Sequence, residues 1–440
     1  MRIWVVKTSE MLAKDSAGGR LLRSGLIANL LDSRGHEVTW WVSTFDHARR
    51  RQRSATDVTE RFGRNGTLRL LRSPGYDKVV SLRRFVDHAI WGWRFSRAIA
   101  SSAPPDIIFC AYPTIESAFV SVRYAARHRI PVVLDLRDMW PDIFVEAVPR
   151  RARPLAKLAA APFYWLARRA CRGATALFGI TEEFLAWGLR YAGRARNEFD
   201  AAYPLAFPRA DFHADADASG NATRYWDDLG VTTVGAFKTV LVGSLNGQRY
   251  EMESVFAAAR RLHQLEPGAY QFLICGDGEN LERYKRSAAD CPDVLFSGWL
   301  GPAQIRALLS RSHLGLVPYR NTPDFMMSVP NKAVEYLAAG LPVATSLRGT
   351  LPQVLHANGC GSQFDAAQPE TLVELIRQMR QNPAAHAQMA ERARELYERE
   401  FIAEIVYTRV AERLESMAAV GSTLSTAGRT SDDDTLHSHT

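Results

Sequence analysis

Short runs of apolar, often β-branched residues recur along almost the whole chain and alternate with longer amphipathic stretches. Runs that are apolar on both faces belong inside parallel sheets, and the stretches between them must then cross back as covering helices. In the first half the runs near 2–7, 37–43, 67–72, 106–111, 131–136 and 174–180 predict strands. Helices are predicted near 18–34, 81–101, 115–128, 154–172 and 181–190. The rhythm stops at 207–236, which is polar, Ala/Asp/Gly-rich and without sustained period, as a linker containing a short helix would be. It resumes with "FKTVLVGSL", "YQFLICG", "DVLFSGW", "LGLVPY", "LPVATS" and "GCGSQF", a second wound unit.

Two helical segments, 369–380 and 383–417, follow, and the Ser/Thr/Asp-rich stretch from 421 reads as disordered. The expected division is an α/β domain over 1–207, a linker over 208–236 and a second α/β domain over 237–400. A helix over 401–420 that could cross back to the first domain and a tail over 421–440 complete it. A chain of 440 residues exceeds one ordinary core, so two domains are also the expectation from length.

The net charge of +8 and pI near 9.3 suit an anionic partner, whether nucleotide, lipid surface or nucleic acid, without choosing among them. The five cysteines (Cys110, Cys171, Cys275, Cys291, Cys360) are scattered through apolar runs with no C-x-x-C pair, as expected of buried thiols in a reducing compartment. "MRIWVVK" reads as a first buried strand rather than a signal peptide, and no apolar run approaches the ~18 residues of a membrane span. The expectation is a cytoplasmic protein, free or lying on the inner face of the membrane.

The stretch "SVPNKAVEYLAAGLPVATS" (328–346) carries the most specific pattern. Val334, Leu337, Ala338 and Leu341 make a core-facing helical stripe, and Asn331, Lys332 and Glu335 share another face at the helix start. A helix N-terminus with a lysine favours phosphate, and a carboxylate one turn in can accept from ribose hydroxyls. The same residues also fit a helix capped by Ser328 or Asn331 with a Lys332–Glu335 surface pair. Gly276 and Gly278 end a predicted strand, and Gly18 and Gly19 open the first long helix. Both are places for close backbone approach to a ligand or simply tight turns.

Asp138, with Asp135 and Arg137, closes the strand "PVVLDL", where a carboxylate can orient a hydroxyl and accept its proton; an N-cap at Asp138 or Asp142 is the alternative. Residues 150–172, "RRARPLAKLAAAPFYWLARRACR", interleave arginines with Phe163, Tyr164 and Trp165 and contain no acidic residue. That composition suits an anionic membrane surface and would also suit nucleic acid. "RRRQR" at 49–53 has no aromatic partner and reads as a solvated charge run.

"PNKAVEYLAAGLPVATS", preceded by "VGSLNGQRYEMESVFAAARRL", "FLICGDGENLERYK", "VLFSGWL" and "LGLVPY", resembles the donor half of a family-4 retaining glycosyltransferase. "AGGR" resembles that family's glycine-rich loop, and "PVVLDLRDMWPD" resembles the D-x-R-D-x-W-P stretch of a bacterial subgroup that builds surface polysaccharides such as lipopolysaccharide and capsule. The resemblance implies a GT-B fold, two doubly wound Rossmann-like domains facing across a cleft. It implies transfer of a sugar from a nucleoside diphosphate sugar, most simply a UDP-sugar, to a glycan or polyprenyl-linked glycan.

Glu335 matches the second glutamate of the family's Glu-x7-Glu motif, whose implied role is to hold the donor ribose; the first position carries Met327. Lys332, Asn331 and Ser328 would receive the diphosphate, with Gly276 and Gly278. Where the family carries an arginine and then a lysine, this chain has Ser244 and, approximately, Gln248 or Arg249. The "FSGWL" loop, with Trp299 and Leu300, would receive the nucleobase through backbone groups. Gly18, Gly19 and Arg137 would touch the acceptor or phosphates, and Asp138 would position the acceptor and assist catalysis. No metal or resident cofactor is implied, since the helix end can do a cation's work, and no nucleic-acid motif accompanies the charge. An epimerase of the same fold and a silent nucleotide-sugar-binding scaffold are the rival readings, the latter resting on Met327 and Ser244.

Overall fold

The apolar runs form parallel strands. The computed structural model describes residues 1–15, 21–78, 81–209 and 220–433, with side chains as far as 420. The chain divides into two units, 1–203 with 405–440, and 204–404. Gly18 and Gly19 lie outside the described residues.

Unit 1 begins with β1 (Arg2–Val6), α1 (Arg23–Ser33), β2 (Glu37–Ser43), β3 (Val58–Phe62) and β4 (Gly66–Leu71). It continues through α2 (Leu82–Ala100), β5 (Ile107–Tyr112), α3 (Ile115–His128) and β6 (Val132–Leu136). The helices α4 (Arg153–Ala159) and α5 (Ala161–Gly173), then β7 (Ala176–Gly179), α6 (Glu182–Ala192) and β8 (Ala201–Ala202) complete it. The sheet order is β8-β7-β6-β5-β1-β2-β4-β3, parallel except for β3 against β4. The chain leaves β1 on one side through β2 and returns on the other at β5, which makes the carboxyl end of β1 the topological switch point where open α/β sheets receive ligands.

Unit 2 comprises α7 (Asn221–Asp228), β9 (Phe237–Val242), α8 (Met252–Leu265), β10 (Tyr270–Cys275), α9 (Leu281–Ser287) and β11 (Val294–Gly298). Then come α10 (Pro302–Leu309), β12 (Leu314–Val317), α11 (Asn331–Ala338), β13 (Val343–Thr345), α12 (Thr350–Asn358), β14 (Gly361–Gln363), α13 (Glu370–Gln381) and α14 (Pro383–Glu400). Its all-parallel sheet runs β11-β10-β9-β12-β13-β14, so the switch point falls between β9 and β12. All five cysteines are buried free thiols.

Three departures from the sequence reading have local causes. The helix expected over 154–172 breaks at Ala160, where Pro162 can only occupy the first turn of a new helix because its ring and missing N–H exclude an interior position. The short helix expected within the linker is there as α7, but it is part of unit 2 and not a free linker: Trp226 is fully buried in that core and donates through Nε1 to the Gln304 carbonyl at 2.8 Å. Burying a side chain of that size contributes about 2–3 kcal/mol, enough to hold a short helix that propensity alone would not.

The helix expected over 383–417 breaks at Phe401–Ile402. There Phe207 takes the Phe401 carbonyl (2.9 Å) and the Ala403 N–H (3.0 Å), so the backbone is committed outside the helix. A final helix, α15 (Ala403–Asp433), follows and continues beyond 420, where composition predicts disorder to begin; extending a formed helix costs less than starting one. Within unit 1 it is tied by Glu415, which accepts from Arg34 at 2.7 Å and pairs with His36 at 2.8 Å.

Candidate functional site: the sheet edges of each unit

In unit 2 the expected donor residues gather at the carboxyl edge of the sheet. Gly243–Ser244 follow β9, Gly276–Gly278 follow β10, and α11, reached from β12 through the short helix Pro323–Met326, carries Lys332 and Glu335 in its first turns. The two turns after β9 and β10 are bonded into one piece. Leu245 N–H donates to the Asp277 carbonyl (2.9 Å), Asn280 Nδ2 to the Leu245 and Gly247 carbonyls (3.0 and 2.7 Å), and Asn246 Nδ2 to Ser244 Oγ (2.9 Å). Gly276 adopts φ +141°, and a Cβ there would lie 1.8 Å from the Gly243 carbonyl oxygen, so only glycine lets the turns approach this closely.

The start of α11 is neither a capped end nor a solvated pair. Its N-cap is Pro330, and no side chain caps it; Ser328 Oγ instead donates to the Phe325 carbonyl at 3.1 Å. The Ala333 N–H donates to the Pro330 carbonyl at 2.9 Å, and no side chain closes the positive end of the helix ahead of it. Residues 333–337 are buried all round, so Glu335, which periodicity puts off the core stripe, is only 3% exposed. Lys332 Nζ stands 2.6 Å from its Oε2.

Burial pushes the Cys275 thiol at the end of β10 up to about 12, with Ser297 and Lys332 acting in the opposite sense. The wall beside α11 is aromatic. Tyr250 stacks on Tyr319 (5.0 Å) and Tyr319 on Phe325 (4.4 Å), while Tyr336 Oη accepts from the Val242 N–H at 2.8 Å.

The structure separates the remaining expected residues. Trp299 is 60% exposed on the loop after β11, whereas the Leu300 side chain is buried in the core and leaves only its backbone to a ligand. Asn331 and Arg249 are exposed. The Arg249 carbonyl accepts the N–H (2.8 Å) of a cation the sequence reading missed, Arg320 on the loop after β12, which donates to Gln248 Oε1 at 3.0 Å and pairs with Glu251 at 3.7 Å. Met327 follows a short turn of helix, Pro323–Met326.

In unit 1 the carboxyl edge of the sheet carries a denser charge network than sequence reasoning found. Asp135, fully buried in β6, accepts from Arg23 Nε (3.0 Å) and Nη2 (2.8 Å) and from Arg137 Nε (2.5 Å). Arg137 also donates to Ser24 Oγ (2.8 Å) and lies 3.8 Å from Glu10. Burial alone would raise the Asp135 carboxyl, but Arg23 and Arg137 hold it below the usual carboxylate range. Arg137 is thus committed to a buried network rather than left open to a ligand.

Lys7 sits at the mouth of β1, its pKa lowered to about 8 by burial and then by Arg137, against the pull of Glu10, Asp138 and Asp135. A lysine and a glutamate three residues apart after a first strand carry no distinctive spacing, so only the fold brings Lys7 and Glu10 to Asp138. Asp138 is half-buried at this edge, with its Oδ1 accepting the Met139 N–H at 2.8 Å. Asp142 is no cap; it anchors Tyr164 Oη (2.8 Å) and Trp187 Nε1 (2.7 Å). Behind Asp138, Trp140 stacks on the buried His88, and Arg84 lies 4.5 Å over the Trp140 ring.

Among the described residues no group of three or more His, Cys, Asp or Glu is placed to hold a metal ion, and no helix is long and apolar enough to cross a membrane.

Residues 22–198 match the family model of the glycosyl transferase 4-like domain, and residues 236–382 match that of the glycosyl transferases group 1. The amylovoran biosynthesis glycosyltransferase AmsK of Erwinia amylovora is 26% identical over 166 residues, which is 36% of this chain and 40% of AmsK. Among solved structures, the sucrose-phosphate synthase of Thermosynechococcus elongatus superposes with a TM-score of 0.71 at 15% identity, over 95% of this chain and 99% of that one. Anabaena HepE in complex with UDP-glucose gives 0.64 at 14% identity, over 94% and 100%. WaaG, a glycosyltransferase involved in lipopolysaccharide biosynthesis, gives 0.63 at 14%, over 94% and 99%. With two successive models of one family matched in order on two parallel α/β units, the chain belongs to the group 1, family-4 glycosyltransferases of GT-B fold.

Proposed function

We propose that this glycosyltransferase takes its sugar from a UDP-sugar bound at the carboxyl edge of unit 2 and passes it, with retention of anomeric configuration, to a glycan in surface-polysaccharide biosynthesis. The pairing of Lys332 with the buried Glu335, at a start of α11 that no side chain caps, is the observation that carries the reading. Glu335 accepts hydrogen bonds from the ribose hydroxyls. The α11 N–H groups and Lys332 face the diphosphate, and Gly276 and Gly278 allow its close approach.

In the reaction an acceptor oxygen forms a bond to the anomeric carbon while the bond from that carbon to the diphosphate breaks. The electron pair leaves with the β-phosphate oxygen, and stabilising that charge is the main electrostatic task. The acceptor proton leaves to the departing phosphate, and Asp138 with Lys7 orients the acceptor at the edge of unit 1. The AmsK name supports polysaccharide as the product class, and the HepE complexes support UDP as the carrier.

Met327, standing where a sugar-contacting glutamate is expected, favours a second reading in which the protein binds nucleotide sugar without turning it over. One assay separates the readings: release of UDP from UDP-sugars, with and without a glycan acceptor extract. Acceptor-dependent release is the expected result. Sugar interconversion without acceptor would identify an epimerase, and binding without release would identify the silent form.

A further inference from the structure

The loop after β1 carries a carboxylate that the fold leaves short of a bond. Glu10 is only 6% exposed, and among the described residues nothing donates to its Oε1. Its Oε2 lies 3.8 Å from Arg137 Nη1, an ion-pair distance too long for a hydrogen bond. Arg137 already has its counter-charge, since its Nε bonds Asp135 at 2.5 Å and its Nη2 bonds Ser24 Oγ at 2.8 Å. A buried carboxylate oxygen without a donor is destabilising, and folded chains retain such atoms mainly where a ligand or water supplies the missing bond.

The carboxylate is also held in place. Arg53, which the run "RRRQR" presents as solvated, is buried instead, with its side chain 6% exposed. It donates through Nη2 to the Glu10 carbonyl (2.7 Å) and to Asp15 Oδ2 (2.6 Å), and through Nη1 to the Ser43 and Phe45 carbonyls (3.1 Å each). The backbone of Glu10 is thereby tied to the end of β2, so the side chain is positioned before any ligand arrives.

The surroundings say what such a ligand is. Glu10 stands at the carboxyl end of β1, the switch point of the sheet, and its contact with Arg137 sets it beside the end of β6 that carries Asp138. Lys7 shares that edge, with Glu10, Asp138 and Asp135 as its counter-charges. An anionic ligand would meet Glu10 and Asp138, and a cationic one would meet Lys7 and Arg137. A neutral hydroxyl avoids both repulsions, because it donates its proton to a carboxylate and accepts from an ammonium. Two hydroxyls on neighbouring carbons can do both at once.

We infer that Glu10 sets acceptor specificity: its Oε1 takes a hydrogen bond from one hydroxyl of an uncharged sugar, while Lys7 donates to the hydroxyl on the neighbouring carbon. The acceptor residue is then a neutral sugar with a free vicinal diol, and a sugar that lacks one of those hydroxyls or carries a carboxylate is discriminated against. This assignment rests on the acceptor role proposed for the edge of unit 1.

The test is saturation-transfer NMR of the full chain, with UDP present, against methyl glucoside, methyl galactoside and methyl mannoside, their monodeoxy analogues, and methyl glucuronide. Wild type binds at least one neutral glycoside, and removal of one hydroxyl weakens that binding by about 10–100-fold, the worth of one hydrogen bond to a charged group. Glu10→Gln and Glu10→Ala bind the glycoside as weakly as wild type binds its deoxy analogue, and they no longer tell the two apart. A merely structural role would not match the two losses in this way. Urea midpoints show that each variant is folded, and the preference of wild type for the neutral diol is read without any variant. Variants that keep the hydroxyl selectivity, stronger binding of the glucuronide than of the neutral sugars, or no binding of any glycoside overturns the inference. Stabilisation by UDP, measured in parallel, separates the two failures: if it is present the transferase reading stands without this acceptor assignment, and if wild type lacks it that reading fails as well.

Discussion

Substituting alanine for Gly276 is expected to pull apart the two turns at the carboxyl edge of unit 2, where the donor is proposed to bind. The added Cβ would lie 1.8 Å from the Gly243 carbonyl oxygen and 2.9 Å from its carbonyl carbon, both backbone atoms that no rotamer change can move aside. The φ of +141° is a conformation an L side chain resists, at a cost of about 1–3 kcal/mol. Relieving the overlap adds about 1–3 kcal/mol of packing strain. Separating the turns also weakens the Gly243 N–H bond to the Cys275 carbonyl (2.9 Å) or the Gly276 N–H bond to the Gly298 carbonyl (2.8 Å), about 1 kcal/mol each. The sum, roughly 3–7 kcal/mol, is a large share of a domain's total stability. Urea unfolding of wild type and variant measures it, and calorimetric titration with UDP reads the site directly. Gly268→Ala is the control, since φ there is +75° but no atom lies within 4 Å of the new Cβ. A Gly276→Ala loss no larger than that of Gly268→Ala, with UDP affinity intact, would refute the reasoning.

Other consequences are equally open to measurement. Asp135→Leu alone strands the buried Arg23 without its counter-charge and should cost about 3–5 kcal/mol in urea, whereas Arg23→Leu with Asp135→Leu should cost clearly less; equal costs would deny the coupling. Because the Asp135 carboxyl is held low, its contribution is fully present above its unfolded value near pH 4 and declines as acid passes below it, a slope the double variant should lack. Lys7 behaves oppositely. With its folded pKa near 8 and its unfolded value at 10.5, the unfolded chain binds more protons between those values. Stability should therefore rise across that window by roughly 2 kcal/mol, and Lys7→Met should remove the rise; parallel pH curves would contradict this. Lys332→Met leaves Glu335 short of its ammonium, which should cost about 1–3 kcal/mol and weaken UDP binding while leaving unit 1 unfolding unchanged.

Both sheets were legible in the sequence because parallel strands buried on two faces write themselves as apolar runs, and "KTVLV" or "IIFCAY" admit few other readings. What escaped was set by partners distant in sequence. Trp226 looks like part of a polar linker until Gln304 receives its indole N–H, and the break at Phe401 exists only because Phe207 arrives beside it. For the proposed donor site, motif resemblance singled out Glu335 and Lys332, but periodicity misjudged Glu335 as lying off the core, because α11 is buried on every side over 333–337. At the edge of unit 1, Asp135, Arg137 and Asp138 are contiguous and were visible. Arg23, Lys7 and Glu10 come from other elements, and no local spacing announces them.

The central claim, that α11 and the neighbouring turns hold a UDP-sugar through Glu335, is tested most directly by thermal unfolding. The midpoint would be recorded with a panel of UDP-, GDP-, ADP- and TDP-sugars, for wild type and for Glu335→Ala. The account predicts a rise in midpoint with UDP-sugars that the variant loses. A rise of the same size in both proteins, or no rise with any nucleotide sugar, would contradict it.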